Sequence, residues 1–334
     1  LPPSWQQAIA WEPQRRAAAG PRPAGVPCPD CGQEMVFTPA ADAPRYAAQE
    51  IGAVAEDPNR FLEGQLTGQV VESSEHAVNV WDMEATTHAN NLPEHWAYLH
   101  LGVDDFETRK ANREGFQRLM FRPRRLGQDV SNPDISVELF DRRFDAPLFL
   151  CPVAALKAYH TQGEVGAGRA ASTRGVLTIQ SNSSSQSYEE IAEAMGEPHW
   201  FQLYTRPDWN RNKRAIDRVS AAGCQVLVWT IDLLGGSNRE LTRRSREFGQ
   251  TYPENCQNCH EHEPGYARPM RHGLEGPPGP RHPYTWDYIK RLKDATTMKL
   301  FVKGIVTRED AELAIEHGVD GIYVSNHGGR AENS

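Results

Sequence analysis

From residue 147 to residue 325 the chain alternates short apolar runs with stretches whose apolar positions recur every three or four residues. The runs Pro147-Leu148-Phe149-Leu150, GVLTIQS (175–181), HWFQLY (199–204), CQVLVWTID (224–232), residues 300–303 and residues 321–325 each read as a buried strand: short, apolar and rich in β-branched or aromatic side chains. Residues 163–174, 188–195, 211–222 and 284–293 carry the helical spacing, the last with Trp286 and Ile289 on one side. Between the last two strands, Thr307 is a suitable N-cap with Asp310 in the first turn. Ala311, Ala314 and Ile315 then follow at helical spacing until Gly318 stops the helix. Strands separated by helices predict a parallel sheet covered by helices, with right-handed crossovers and the chemistry at the C-terminal edge. Six such strands point to an α/β TIM-type (β/α)8 barrel, incomplete here because closure needs two further strand–helix units.

Around this pattern the domain plan is an N-terminal arm at 1–90, a helical lead-in at 91–146 and the barrel at 147–334, with a polar, Pro- and Gly-rich insertion at about 241–283. The chain has 334 residues and a net charge of −8, a balance that argues against nucleic acid as the main partner. Mean hydropathy is −0.63, low for a barrel, and predicts long polar excursions. No apolar run reaches the ~20 residues of a membrane span, and no signal-peptide pattern opens the sequence, so a cytoplasmic location is expected. Four of the six cysteines form two C-x-x-C pairs, Cys28 with Cys31 and Cys256 with Cys259. Four thiolates so spaced would hold a closed, structural zinc ion. Free thiols, redox disulfides, or ligation shared with His260 or His262 are the competing readings. The acids around Glu84 to His88 read as a solvated face.

The two C-terminal strands deliver the sharpest chemistry. Lys303 ends one, and Ser325-Asn326-His327-Gly328-Gly329-Arg330 follows the other, at the same edge of the sheet. His327 can take a proton near neutral pH. Arg330 offers a planar fork for a carboxylate. The glycines allow a flat ligand to approach the backbone.

The segment KGI followed by GVDGIYVSNHGGR resembles the FMN-dependent 2-hydroxy acid oxidases and dehydrogenases, a family that includes glycolate oxidase, lactate oxidase and flavocytochrome-type lactate dehydrogenases. The similarity runs from about Leu92 to the end. It implies oxidation of a 2-hydroxy acid, lactate-like or larger, to the 2-keto acid, with His327 as base and Asp232 supporting the imidazolium. Lys303 would stabilise charge on the flavin, and Tyr204 would face the substrate. Arg330, Arg239 and Tyr98 would bind the substrate carboxylate. Pro152, Val153, Ala154, Gln180, Gln202, Thr230, Lys303 and Ser325 would line the FMN. Gln180 stands where the family has a serine, and Asn182 where glycolate oxidase has a pocket tryptophan, so a more polar pocket and a substrate other than glycolate or plain lactate are expected. The FMN phosphate site is expected after strands 7 and 8, beyond this sequence. The resemblance further implies a homo-oligomer, tetrameric in many relatives, with oxygen, a quinone or a carrier protein as electron acceptor. A non-catalytic, metal-stapled scaffold on a decayed barrel is the contrasting reading. An isopentenyl diphosphate isomerase is a third, which the arginine pair disfavours.

Overall fold

The computed structural model describes residues 26–27, 34–35, 68–91, 93–123, 125–127, 129, 131–241, 243 and 269–333. The chain divides into two compact units, residues 1–100 with 241–250, and residues 101–240 with 251–334. In the first unit, strands β1 (Val26–Pro27) and β2 (Glu34–Met35) pair antiparallel. Helix α1 (Val80–Asn90) starts on a capping box, in which Asn79 accepts from the backbone at Asp82 and Asp82 accepts from the backbone at Asn79. Helix α2 (Pro93–His100) follows. The face from Glu84 to His88 is partly solvated, with His88 exposed and Glu84 40% exposed. His88 stacks on Trp96 at 4.4 Å, and Glu84 lies 3.6 Å from His100.

The second unit carries the sheet. Helix α3 (Glu107–Gln117) precedes a hairpin of β3 (Val137–Leu139) and β4 (Arg142–Phe144). Six parallel strands follow: β5 (Phe149–Leu150), β6 (Leu177–Ser181), β7 (Trp200–Leu203), β8 (Val226–Thr230), β9 (Lys299–Ile305) and β10 (Gly321–Val324). Their spatial order is their sequence order, β5 to β10. Helices α4 (Gly163–Thr173), α5 (Tyr188–Met195), α6 (Trp209–Ala221), α7 (Asp287–Ala295) and α8 (Arg308–Glu316) lie between them in sequence. Among the described residues the sheet is a half-barrel, with β5 and β10 as its two edges. Helix α8 starts where Thr307 accepts the Asp310 amide at 3.2 Å, and it stops before Gly318, which has φ +70.

Strand alternation sorts the side chains into two clusters. Leu177, Ile179, Trp200, Val226 and Val228 share one with Phe144, and Phe301 and Tyr323 pack against it. The intervening residues Phe201, Leu203, Leu227, Trp229, Leu300 and Val302 meet the helix residues Ile216, Val219, Ile289 and Leu292 in the larger one. The first is the concave interior and the second the sheet–helix layer, since a strand turns successive side chains to opposite faces. The β3–β4 turn seals the N-terminal end of the interior: Phe140 lies 5.7 Å from Phe301 and 6.0 Å from Trp200, ring to ring. That leaves the opposite, C-terminal edge for polar groups.

Candidate active site

Four strand ends converge at that edge. Lys303 of β9 pairs in register with Thr230 of β8 on one side and Tyr323 of β10 on the other. Asp232 lies two residues beyond Thr230 and so on the same face. Gly304 lets the β8 and β9 ends close up: its φ is +114, and a Cβ there would stand 2.9 Å from Cβ of Asp232. His327 reaches over from the turn after β10, itself in the left-handed region at φ +59, a strain that non-glycine residues adopt mainly where the surroundings enforce it. The enforcing contacts are visible. Ser325 Oγ accepts the His327 amide at 2.9 Å, and Gly329 donates its amide to the Asn326 carbonyl at 3.1 Å.

The resulting cluster is tight. Nδ1 of His327 lies 2.7 Å from Asp232 Oδ1 and 3.2 Å from Lys303 Nζ, while Nε2 lies 3.0 Å from the Tyr204 hydroxyl. Lys303 Nζ is 3.4 Å from Asp232 Oδ2, with both side chains 7% exposed. Burial pulls the Lys303 pKa below its ordinary value, against the opposing pull of Asp232. Burial also lowers that of His327; Asp232 pulls upward, and the Lys303 and Arg239 charges pull down again. Asp232 thus pulls the imidazole pKa upward, as its supporting role implies, and burial outweighs it. The imidazole is held neutral near pH 7, which is the form a base needs.

The two arginines share one anchor. Ser237 Oγ donates to the Arg330 carbonyl at 2.9 Å and accepts from Arg239 Nε at 2.9 Å, and Arg239 also donates to that carbonyl at 3.4 Å. The Arg330 guanidinium donates to the Leu101 carbonyl at 3.4 Å. The Arg239 charge is close enough to act on His327, and a guanidinium there suits a carboxylate.

Next to it runs a buried polar row across three strands. Ser181 Oγ donates to Gln202 Oε1 at 3.1 Å, and Gln202 Nε2 donates to Thr230 Oγ1 at 2.9 Å. Gln180, expected here, does not belong to the row. Its amide is turned into the sheet–helix layer, where it meets His199 Nε2 at 2.7 Å, the Gln186 carbonyl at 3.2 Å and Met270 Sδ at 3.5 Å. The residue that fills the place is Ser181. A one-residue slip in register moves a side chain to the other face, and the clue was present: Ser181, Gln202 and Thr230 share the interior parity of Ile179, Trp200 and Val228. The departure expected at this position is therefore withdrawn. Alternating donors and acceptors along a flat edge, with an ammonium at one end, fit the imide edge of a flavin ring. Pro152, Val153 and Ala154 follow β5 at the same edge. Ser325 spends its acceptor on the loop.

One clamp was not anticipated. Asn112 of α3 and Asn326 form a reciprocal amide pair, at 3.1 Å and 2.6 Å, next to His327. Val103 donates to the Gly329 carbonyl at 3.1 Å, and a Cβ on Gly329 would lie 2.5 Å from the Arg109 nitrogen. No local spacing marks such a pair, because its partners are 214 residues apart. Tyr98 lies in α2, within the other unit. Cys28, Cys31, Cys256 and Cys259 lie outside the described residues, among which no group of three or more metal-ligating side chains occurs. No described helix is long and apolar enough to cross a membrane.

Comparison with known proteins gives the family. A family model described as FMN-dependent dehydrogenase matches residues 88–334. 2-Hydroxyacid oxidase 2 of Mus musculus is 35% identical over 237 residues, which cover 70% of this chain and 65% of that protein. A peroxisomal (S)-2-hydroxyacid oxidase of Arabidopsis thaliana is 32% identical over 239 residues, 71% of this chain and 64% of its own. The chain thus spans just under two thirds of these relatives. A solved structure of mandelate oxidase with benzoyl-formic acid superposes with a TM-score of 0.65 at 30% identity, covering 76% of this chain and 70% of that one.

Proposed function

Since the chain belongs to the FMN-dependent dehydrogenase family, we propose that the protein containing it oxidises a 2-hydroxy acid to the 2-keto acid. The carrying observation is the imidazole of His327 held between Tyr204 and Asp232 with Lys303 at its side. Ser181, Gln202, Thr230 and the backbone at Pro152, Val153 and Ala154 would hold FMN by its ring, with Lys303 beside it. Bound there, FMN supplies a two-electron acceptor. Arg239 and Arg330 grip the substrate carboxylate through charge-assisted bonds. Neutral His327 receives the proton released from C2 or from the hydroxyl. Asp232 then offsets the charge of the imidazolium, and the Tyr204 hydroxyl faces the substrate oxygen. The buried Lys303 ammonium favours negative charge developing nearby, the preorganised electrostatics that costs no reorganisation during reaction.

The test is anaerobic. Protein loaded with FMN should bleach at visible wavelengths with a suitable 2-hydroxy acid, and His327→Ala should keep the colour and lose the bleaching. Retained turnover in that variant would exclude His327 as the base. Reoxidation by oxygen, a quinone or a carrier protein distinguishes oxidase from dehydrogenase. Light scattering tests the proposed homo-oligomer, and cell fractionation the cytoplasmic location. A zinc ion on Cys28, Cys31, Cys256 and Cys259 completes the reading, supported by the spacing of the two pairs; elemental analysis of Cys28→Ser tests it.

A further inference from the structure

Tyr323 of β10 packs against the interior cluster of the sheet. It pairs in register with Lys303, so both side chains rise from the same face of neighbouring strands. The Lys303 ammonium stands 5.6 Å from the centre of the Tyr323 ring, within the range at which the negative face of an aromatic ring attracts a cation. The ring itself is held from two sides. Phe149 meets it edge to face at 5.3 Å, and its hydroxyl lies 2.9 Å from Cys151 Sγ. Phe149 is in β5, the opposite edge strand, and Cys151 directly follows that strand and precedes Pro152. Tyr323 therefore spans the interior from β10 to the turn proposed to lie beside the flavin.

Lys303 sits where an ammonium needs support. Its side chain is 7% exposed, and burial draws its pKa down while Asp232 pulls the other way. Facing the ammonium are Asp232 Oδ2 at 3.4 Å, His327 Nδ1 at 3.2 Å, Cys151 and Tyr323. Asp232 is a shared partner, because its other oxygen lies 2.7 Å from His327. Once His327 carries a proton, that carboxylate divides between two cations. The ring face has no such competitor. Burial, then the Cys151 hydrogen bond, push the Tyr323 pKa up, so the phenol stays neutral.

We propose that Tyr323 is a positioning residue of the active site: its ring face keeps the Lys303 ammonium charged and in place at the end of the Ser181–Gln202–Thr230 row, and Cys151 fixes the ring. The inference rests on the oxidation reading above and adds a residue to it.

Two measurements test it. The first is the pKa of Lys303, read by NMR of ε-carbon-labelled lysine in the protein as isolated and assigned with Lys303→Met. Tyr323→Leu should lower that pKa by about one pH unit, the tenfold worth of a cation over an aromatic face. Tyr323→Phe should leave it in place. Pentafluorophenylalanine in place of Tyr323 keeps the shape and reverses the charge distribution of the ring, so it should act as Tyr323→Leu does, even where leucine packs badly. The second measurement is the sulfite affinity of the FMN-loaded protein. Sulfite adds at flavin N5, bleaches the colour and leaves negative charge on the imide end of the ring, which a nearby ammonium favours. Tyr323→Leu should weaken that affinity about tenfold. The same change made in Lys303→Met should do nothing further, because the coupling passes through the ammonium. A Lys303 pKa unmoved by both leucine and pentafluorophenylalanine overturns the inference, as does a loss of sulfite affinity equally large with and without Lys303. A lowered pKa in a protein that oxidises no 2-hydroxy acid supports the positioning role and sinks the oxidation reading instead.

Discussion

Replacing Asp232 by Asn keeps the shape of the side chain and removes one charge, so it isolates the electrostatic role of the carboxylate. With an effective dielectric of about 20, Asp232 at 2.7 Å attracts an imidazolium at His327 by roughly 6 kcal/mol, and Lys303 at 3.2 Å repels it by roughly 5. The two nearly cancel, which is why burial decides the direction of the His327 pKa. Without the carboxylate the repulsion stands alone. The protonated base then loses several kcal/mol, about 3–5 being usual when one member of a buried ion pair is removed. We expect kcat to fall on the order of 10²–10⁴-fold, the range of a lost acid–base contribution, and the pKa of His327 to move further below the ordinary 6.5. Stability supplies an independent readout. Burial already places the Lys303 pKa below 10.5, and losing Asp232 lowers it further. The unfolded chain then holds more protons than the folded one over a wider window below about 10.4, so stability rises with pH across that window. Urea unfolding of Asp232→Asn should therefore show a deficit against wild type at pH 7 that shrinks toward pH 10. A variant with wild-type kcat, or a deficit that does not change with pH, would refute the reasoning.

Other positions give shorter tests. His199 is 2% exposed, and burial, then the Arg142 charge, push its pKa down to about 3. The unfolded chain protonates near 6.5, so stability should drop as pH falls from about 6.5 toward 3, by up to about 1.4 kcal/mol per pH unit; His199→Gln should flatten that slope in urea titrations, and an unchanged slope counts against it. Asn112→Ala removes the reciprocal amide pair on the exposed α3 face, so kcat should drop about tenfold while Tm shifts by only a few degrees; equal kcat would show that the clamp is idle. Ser181→Ala should weaken FMN binding and shift its visible spectrum, whereas Gln180→Leu should lower Tm and leave the spectrum alone. The reverse pattern would restore Gln180 to the cofactor.

Much of the strand order could be read from the sequence, because buried parallel strands are short apolar runs and each is followed by its helix. The ends were less legible. Residues 300–303 were expected as a strand, and β9 runs Lys299–Ile305 because Ile305 pairs with Val324 after a register shift that skips Gly304. Tyr284 was expected to begin a helix, and α7 starts at Asp287. Lys303, Asp232 and His327 could be placed because strand ends of a parallel sheet meet at one edge. Gln180 was misplaced because period-two alternation turns a single-residue error into the opposite face. The Asn112–Asn326 pair depends on side chains 214 residues apart, and only the folded arrangement reveals it.

The turn that carries His327 leans on α3 through Asn112 and Arg109, and on the segment before α3 through Val103, at the far end of the sequence from β10. Helix α3 itself is half-exposed and offers one buried residue, Thr108. Fraying of that helix would release His327 while the six strands stay paired. Heating should therefore silence the enzyme at a lower temperature than the one that melts its sheet, and the last step of refolding should be the arrival of this early segment on a late one.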